Sequence, residues 1–123
     1  MYQFLSDEYE TRFEELCNRD NTHFGDSERR ALFFIIAGNN TLYQNIGKIY
    51  DFDENAIKLE ALSEPFLTSG IRGLIELAFS LYGSGTCDVR QLFNQLDYQN
   101  GVLAIEAIRS RFKIMNYPDC NVL

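Results

Sequence analysis

The chain has 123 residues, 46% of them hydrophobic, with seven tyrosines, ten phenylalanines, no tryptophan and a formal net charge of −7. That length and apolar content suit one globular domain with a real core and exclude a disordered chain. The negative charge argues against a general nucleic-acid binder, which presents a basic face to phosphates. The acid is concentrated at the start: residues 1–28 hold eight carboxylates and two arginines, whereas residues 65–123 hold five acids and five bases. Cys17, Cys87 and Cys120 are scattered, an odd count without a CxxC pair, which is neither a disulfide framework nor a zinc site. No leader pattern opens the chain, and no apolar run approaches the roughly 20 residues of a membrane span. A reducing cytoplasm is the expected compartment.

In chain order, Met1 to Leu5 reads as an apolar, extended lead-in packed on the body. Ser6 is an N-cap candidate ahead of an acidic first turn. Tyr9, Phe13, Leu16 and Cys17 then form one helical stripe, with Asp7, Glu10, Glu14 and Asn18 on the opposite side. The polar string Asn18 to Phe24 is a loop. Ala31 to Ala37 (ALFFIIA) is an unbroken apolar run. Length alone does not separate strand from helix there, but its flanks do: Asp26 or Ser27 as N-cap, Glu28 in the first turn, Gly38 as terminator. A helix apolar on most sides must be surrounded, so this segment, about 28–38, is predicted to be the buried centre of the fold.

Asn39, Asn40 and Thr41 can re-cap the chain for a short helix with Leu42, Tyr43 and Ile46, ending at Gly47. Ile49 to Asp53 alternates as a brief extended piece. Glu54 to Leu62 is weakly helical and stops before Pro65. Thr68 and Ser69 cap the best amphipathic segment, with Ile71, Leu74, Ile75, Ala78 and Tyr82 on one face and Gly83 as stop. Asp88 and Gln91 have capping-box spacing ahead of Val89, Leu92, Phe93 and Leu96. Asp97 or Asn100 starts the last helix, whose expected inward residues are Val102, Ala104, Ile105, Ile108 and Phe112. The prediction is an all-α fold: one domain, 1–123, of five to six helices around the 28–38 helix, with a loose C-terminal tail from about 114.

The chemistry is sparse. His23, the single histidine, stands in a polar loop without a partner at ligand spacing. Gly38 and Gly47-Lys48 lack the P-loop spacing, and Ile49 stands where a hydroxyl would hold magnesium. Ser69, Gly70 and Arg72 mark a helix start where an anion can sit, a property shared by every capped helix. Arg29, Arg30, Arg109 and Arg111 are expected to pair with Glu14, Glu15 or Glu28 rather than form a basic patch. Glu76 and Glu106 lie on the two strongest late helices, either as an acid–base pair or as solvated residues. No cofactor and no metal ion is called for by any motif. The most distinctive surface is the acidic side of the first helix, Asp7, Glu8, Glu10, Glu14 and Glu15. It is either a solvated face or a docking surface that imitates a row of phosphates.

The segments Glu28 to Phe52 (ERRALFFIIAGNNTLYQNIGKIYDF), Leu67 to Gly85 (LTSGIRGLIELAFSLYGSG) and Leu92 to Phe112 (LFNQLDYQNGVLAIEAIRSRF) resemble an uncharacterised family of short proteins from Gram-positive bacteria, their prophages and integrative elements. Gly83 follows Leu81-Tyr82 where that family more often has Asn. The resemblance implies a mobile-element setting and carries over no catalytic residue.

The expected function is therefore a non-catalytic protein-binding module. Its leading form is a phage or mobile-element inhibitor of a host defence nuclease, anti-CRISPR-like, whose acidic surface occupies a basic nucleic-acid channel. The partner is then a basic nucleic-acid-binding protein, with neither nucleic acid nor membrane bound directly. One alternative is an adaptor or regulatory subunit of a mobile element that takes a partner helix in an apolar groove. The other is a small enzyme or ligand-binding domain using Tyr43, Tyr50, Arg72 and a carboxylate.

Overall fold

A computed structural model describes residues 2–114. The order is α1 (Asp7–Asp20), α2 (Ser27–Ala37), α3 (Asn40–Gln44), α4 (Ile46–Ile49), β1 (Tyr50–Asp51), β2 (Ala56–Ile57), a 3-10 turn (Leu59–Ser63), α5 (Ser69–Tyr82), α6 (Val89–Gln95) and α7 (Tyr98–Arg111). The fold is all-α apart from one two-residue hairpin. The expected tail from about 114, with Tyr117, Pro118 and Cys120, lies outside the described residues, as does Met1.

Local side chains set most helix starts. Ser6, Asp26, Asn39, Asp88 and Asp97 each accept the backbone N–H three residues on, at 2.9 to 3.3 Å, satisfying a donor that the helix leaves free. Gly83, at φ 109°, ends α5 with its N–H and that of Ser84 bonded to the Phe79 carbonyl.

The apolar run becomes α2, and every residue from Ala31 to Ala37 is buried. α1, α3, α5 and α7 all pack on it. At its end the chain passes so close to α7 that a Cβ on Gly38 would stand 2.3 Å from Leu103 Cδ1. The lead-in is extended as expected: Tyr2 stacks on Phe34 at 4.4 Å between centroids, and Phe4 lies 5.4 Å from Phe13.

Several expectations differ. Asn18 to Asp20 extend α1 instead of opening the loop, and Gly47 lies inside α4 instead of ending a helix. Glu54 to Leu62 is helical only as the 3-10 turn from Leu59. Asp51 Oδ1 accepts the N–H groups of Asp53 and Glu54, Asn55 adopts φ 53°, and the chain turns back so that Tyr50 pairs with Ile57 and Asp51 with Ala56. A side chain that supplies the turn's hydrogen bonds competes with helix here. Nor does α7 bury the expected stripe. Its core residues are Leu103, Ala104 and Ala107, while Val102 and Ile108 are half-buried and Ile105 and Phe112 are exposed. The helix is apolar on two sides, and the smaller residues let it approach α2.

Candidate functional site

The capped first turn of α1 points its acids away from the core that Phe13, Leu16 and Cys17 join. Asp7, Glu8, Glu10, Glu14 and Glu15 are all exposed. Two of them are engaged. Glu8 pairs with Arg12 at 2.7 Å, and Glu15 accepts the Tyr43 hydroxyl at 2.9 Å. Burial and that bond raise the Tyr43 hydroxyl's pKa. Arg12 also donates to Asn40 Oδ1 at 2.6 Å and lies 4.5 Å from the Tyr43 ring centroid. Arg19 sits 4.0 Å over the Phe52 ring. Both α1 arginines are thus held by aromatic neighbours. Among the described residues Asp7, Glu10 and Glu14 form no ion pair, and they line up at i, i+3 and i+7.

Glu10 and Glu14 also edge an open cleft of about 860 Å³ whose other walls include Tyr2, Phe4, Phe13 and Arg30. Phe24 projects at its mouth, 85% exposed. The Arg30 guanidinium lies between rings, 5.0 Å from the Phe13 centroid and 5.3 Å from that of Phe24. Burial pushes the Cys17 thiol, on the same wall, up to about 11.

The remaining charged clusters are braces. Asp20, its side chain 2% exposed, accepts from Thr22 Oγ1 at 2.6 Å, Asn55 Nδ2 at 2.7 Å and the Tyr50 hydroxyl at 2.7 Å. Arg29 donates to Tyr50 at 3.0 Å, Asp26 at 3.0 Å and the Asn55 carbonyl at 2.6 Å. Burial first, then the bond to Asp20, holds the Tyr50 hydroxyl protonated beyond the usual phenol range. This network, spanning 35 residues of sequence between Asp20 and Asn55, escaped the sequence reading; only the polar residues around the expected helix ends hinted at it. Glu106 is also buried and accepts from the Gln3 N–H, Arg109 and Ser110. Burial opposes its charge, but these hydrogen bonds together lower its pKa.

Other candidates are dispersed. Among the described residues the expected arginine pairing holds for Arg111 with Glu28, at 4.0 Å. Arg29 turns to Asp20 and Asp26, Arg109 to Glu106, and Arg30 to its rings. His23 Nδ1 accepts the Gly25 N–H within its own loop. Lys48, after Gly47, pairs with Glu64 at 3.6 Å. Ser69, Gly70 and Arg72 do stand at the start of α5, but Arg72 donates to the Leu62 carbonyl, and Glu76 and Asp88 share the small polar pocket there. Two carboxylates make poor company for an anion. Tyr43, Tyr50 and Arg72 each serve a separate local contact, and Glu76 and Glu106 belong to separate pockets. Among the described residues no three His, Cys, Asp or Glu converge as metal ligands, and no helix is long and apolar enough to cross a membrane.

A last feature is apolar. Phe93 of α6, Leu96 just after it, and Tyr98, Gly101, Val102 and Ile105 of α7 line a shallow groove of about 480 Å³, with Asp97 and Glu106 at its edge.

A family model described as a family of unknown function (DUF6075) matches residues 1–118, and the chain belongs to that family. No curated protein and no solved structure matches it.

Proposed function

We propose that this member of the family is a non-catalytic binding protein that docks the outer face of α1 onto a basic surface of a partner protein. The observation that supports it is the set Asp7, Glu10 and Glu14, exposed on one line of a rigid helix and outside every ion pair of the described chain. At a rise of about 1.5 Å per residue the three span roughly 10 Å along the helix. Rows of like charge held at that spacing steer a basic partner from a distance and compete with a phosphate backbone for the same surface. In its sharpest form, the partner is a host defence nuclease, and the protein acts in the cytoplasm as an inhibitor carried by a prophage or integrative element, in the manner of an anti-CRISPR.

The test is capture from a nuclease-treated lysate of a Gram-positive host, followed by binding kinetics with the captured protein. Replacing Asp7, Glu10 and Glu14 by Lys keeps the free protein folded and helical but lowers its stability by about 1–2 kcal/mol, because Asp7 and Glu10 stand in the first turn of α1, at the positive end of the helix dipole. The association rate at low salt falls about tenfold or more, and the deficit shrinks as salt screens the wild type. An unaltered association rate in the folded triple variant removes the acidic docking face.

A further inference from the structure

The cleft beside α1 holds charges that the described chain leaves unanswered. Arg30 is half-buried on its wall, the guanidinium held by the rings of Phe13 and Phe24. Among the described residues it donates no hydrogen bond and joins no ion pair. The other half-buried arginines, Arg12, Arg29, Arg72, Arg109 and Arg111, each have an oxygen acceptor. A guanidinium partly withdrawn from water, with all its N–H donors free, calls for oxygen atoms. Glu10 and Glu14 line the same cleft without an ion pair and call for a cation. The rest of the wall is aromatic, and its rings are already packed together: Tyr2 lies 5.4 Å from Phe13 between centroids, and Phe4 lies as close to it. The cleft's volume of about 860 Å³ is that of a ligand site, which commonly falls at roughly 300–1,000 Å³.

We propose that the cleft takes a short peptide segment of the basic partner: an apolar side chain against the rings, a lysine or arginine at Glu10 and Glu14, and main-chain carbonyls on Arg30. A simple anion would satisfy Arg30 and be repelled by the two carboxylates. A simple amine would satisfy the carboxylates and leave the guanidinium unanswered. A basic, apolar peptide carries all three groups at once, because every residue of it brings a carbonyl acceptor. This occupant presupposes α1 as the docking face of a basic partner and names the part of the partner that reaches it. Glu10 and Glu14 belong to both the carboxylate row and the cleft, so the two form one continuous surface. Phe24, 85% exposed at the mouth, gains burial when the segment enters. An arginine already held between rings loses little freedom on binding.

Acetylated and amidated tetrapeptides that combine lysine or arginine with leucine or phenylalanine in every order test it, on the full chain, by amide nitrogen–proton NMR. The expected result is submillimolar binding by at least one of them, with shifts gathered at Phe4, Phe13, Gly25 and Arg30. Exchanging its basic residues for glutamate, or its apolar residues for glycine, weakens binding about tenfold or more. Arg30→Met keeps the stem beside Phe13 and removes the donors, and Phe24→Ala removes an exposed ring. Both variants keep the circular dichroism of the wild type and weaken the peptide about fivefold or more, although neither touches the carboxylate row. A set of peptides that leaves the cleft unshifted overturns the proposal, as does binding indifferent to the charge of the peptide or to Arg30→Met. Failure of the docking face itself reads out separately, as an association rate of the captured partner that the triple lysine variant of α1 does not alter.

Discussion

The first and last thirds of the chain pack on the same central helix by different means. In the first, polar side chains reach far: Asp20 binds Tyr50 and Asn55, and Arg29 binds Tyr50 and Asn55, across 21 to 35 residues of sequence. In the last, α6 and α7 are held mainly by Leu92, Leu103, Ala104 and Ala107, with few long-range bonds such as Asn39 to Asn100 at 3.2 Å and Arg111 to the Leu81 carbonyl at 2.9 Å. Directional bonds fix geometry and consume the polar groups that form them. Close apolar contact needs one face only, and it leaves α7 with a second apolar face to spare.

The comparison breaks first at the shared support. Phe33 is fully buried on α2 and packs edge-on against Tyr50 at 5.0 Å. Phe33→Ala is expected to cost about 3–5 kcal/mol in denaturant unfolding and to loosen both thirds together. Next, Asp20→Ala leaves Tyr50, Asn55 and Arg29 without their buried acceptor and costs about 3 kcal/mol. Glu106→Ala, in the sparser third, costs about 2 kcal/mol. Equal losses at the two sites would remove the contrast.

Alkali attacks the first third. Unfolded tyrosine loses its proton near pH 10, while folded Tyr50, with its raised pKa, keeps it. Rising pH therefore favours the unfolded chain: the stability is fully present below pH 10 and falls by about 1.4 kcal/mol per pH unit above it, until the folded hydroxyl titrates. Tyr50→Phe lowers that slope by one group's share in a pH series of unfolding curves, the raised hydroxyl of Tyr2 and thiol of Cys17 keeping the rest, although it also removes the bond to Asp20.

The smallest effects separate two glycines. Gly101→Ala should raise stability by about 1 kcal/mol, since its Cβ meets nothing. Gly38→Ala should lower it by about 1–3 kcal/mol, since its Cβ would strike Leu103. Thermal melting of both variants at one dilute concentration checks the sign of each.

What the sequence disclosed follows from the range of the forces involved. Ser6 and Asp88 were readable as caps because each bond spans three residues, and for the same reason Asp26, Asn39 and Asp97 stood in the sequence each beside an alternative, Ser27, Asn40 or Thr41, and Asn100, between which the structure chooses. The burial of Ala31 to Ala37 was readable because a run without a polar residue has no face to give to water. The line of Asp7, Glu10 and Glu14 was readable for the same local reason. That Glu15 is tied to Tyr43 was not, because the contact spans 28 residues, whereas the Glu8–Arg12 pair, at i and i+4, is nearly as local as the caps. The hairpin was missed because apolar residues at 57, 59 and 62 mimic a weak helix, whereas the Asp51 turn decides the matter. On α7 periodicity found apolar residues but could not rank two apolar faces. Packing chose the face with Ala104 and Ala107, where the backbones approach most closely.

Cys17 gives this architecture a clock. Its thiol is 8% exposed at the contact of α1 with the central helix, and burial lifts it to about 11, so little reactive thiolate is presented while α1 is seated. Cys87, half-buried in the loop before α6, is raised too but stands nearer to solvent. With Cys120 replaced by Ser, a thiol reagent therefore meets two populations among the described residues. Cys87 reports reagent access, and the slower modification of Cys17 counts how often the first helix lifts from the body. The same two rates, followed in the presence of the proposed basic partner, test whether its binding holds that helix seated, without any added label.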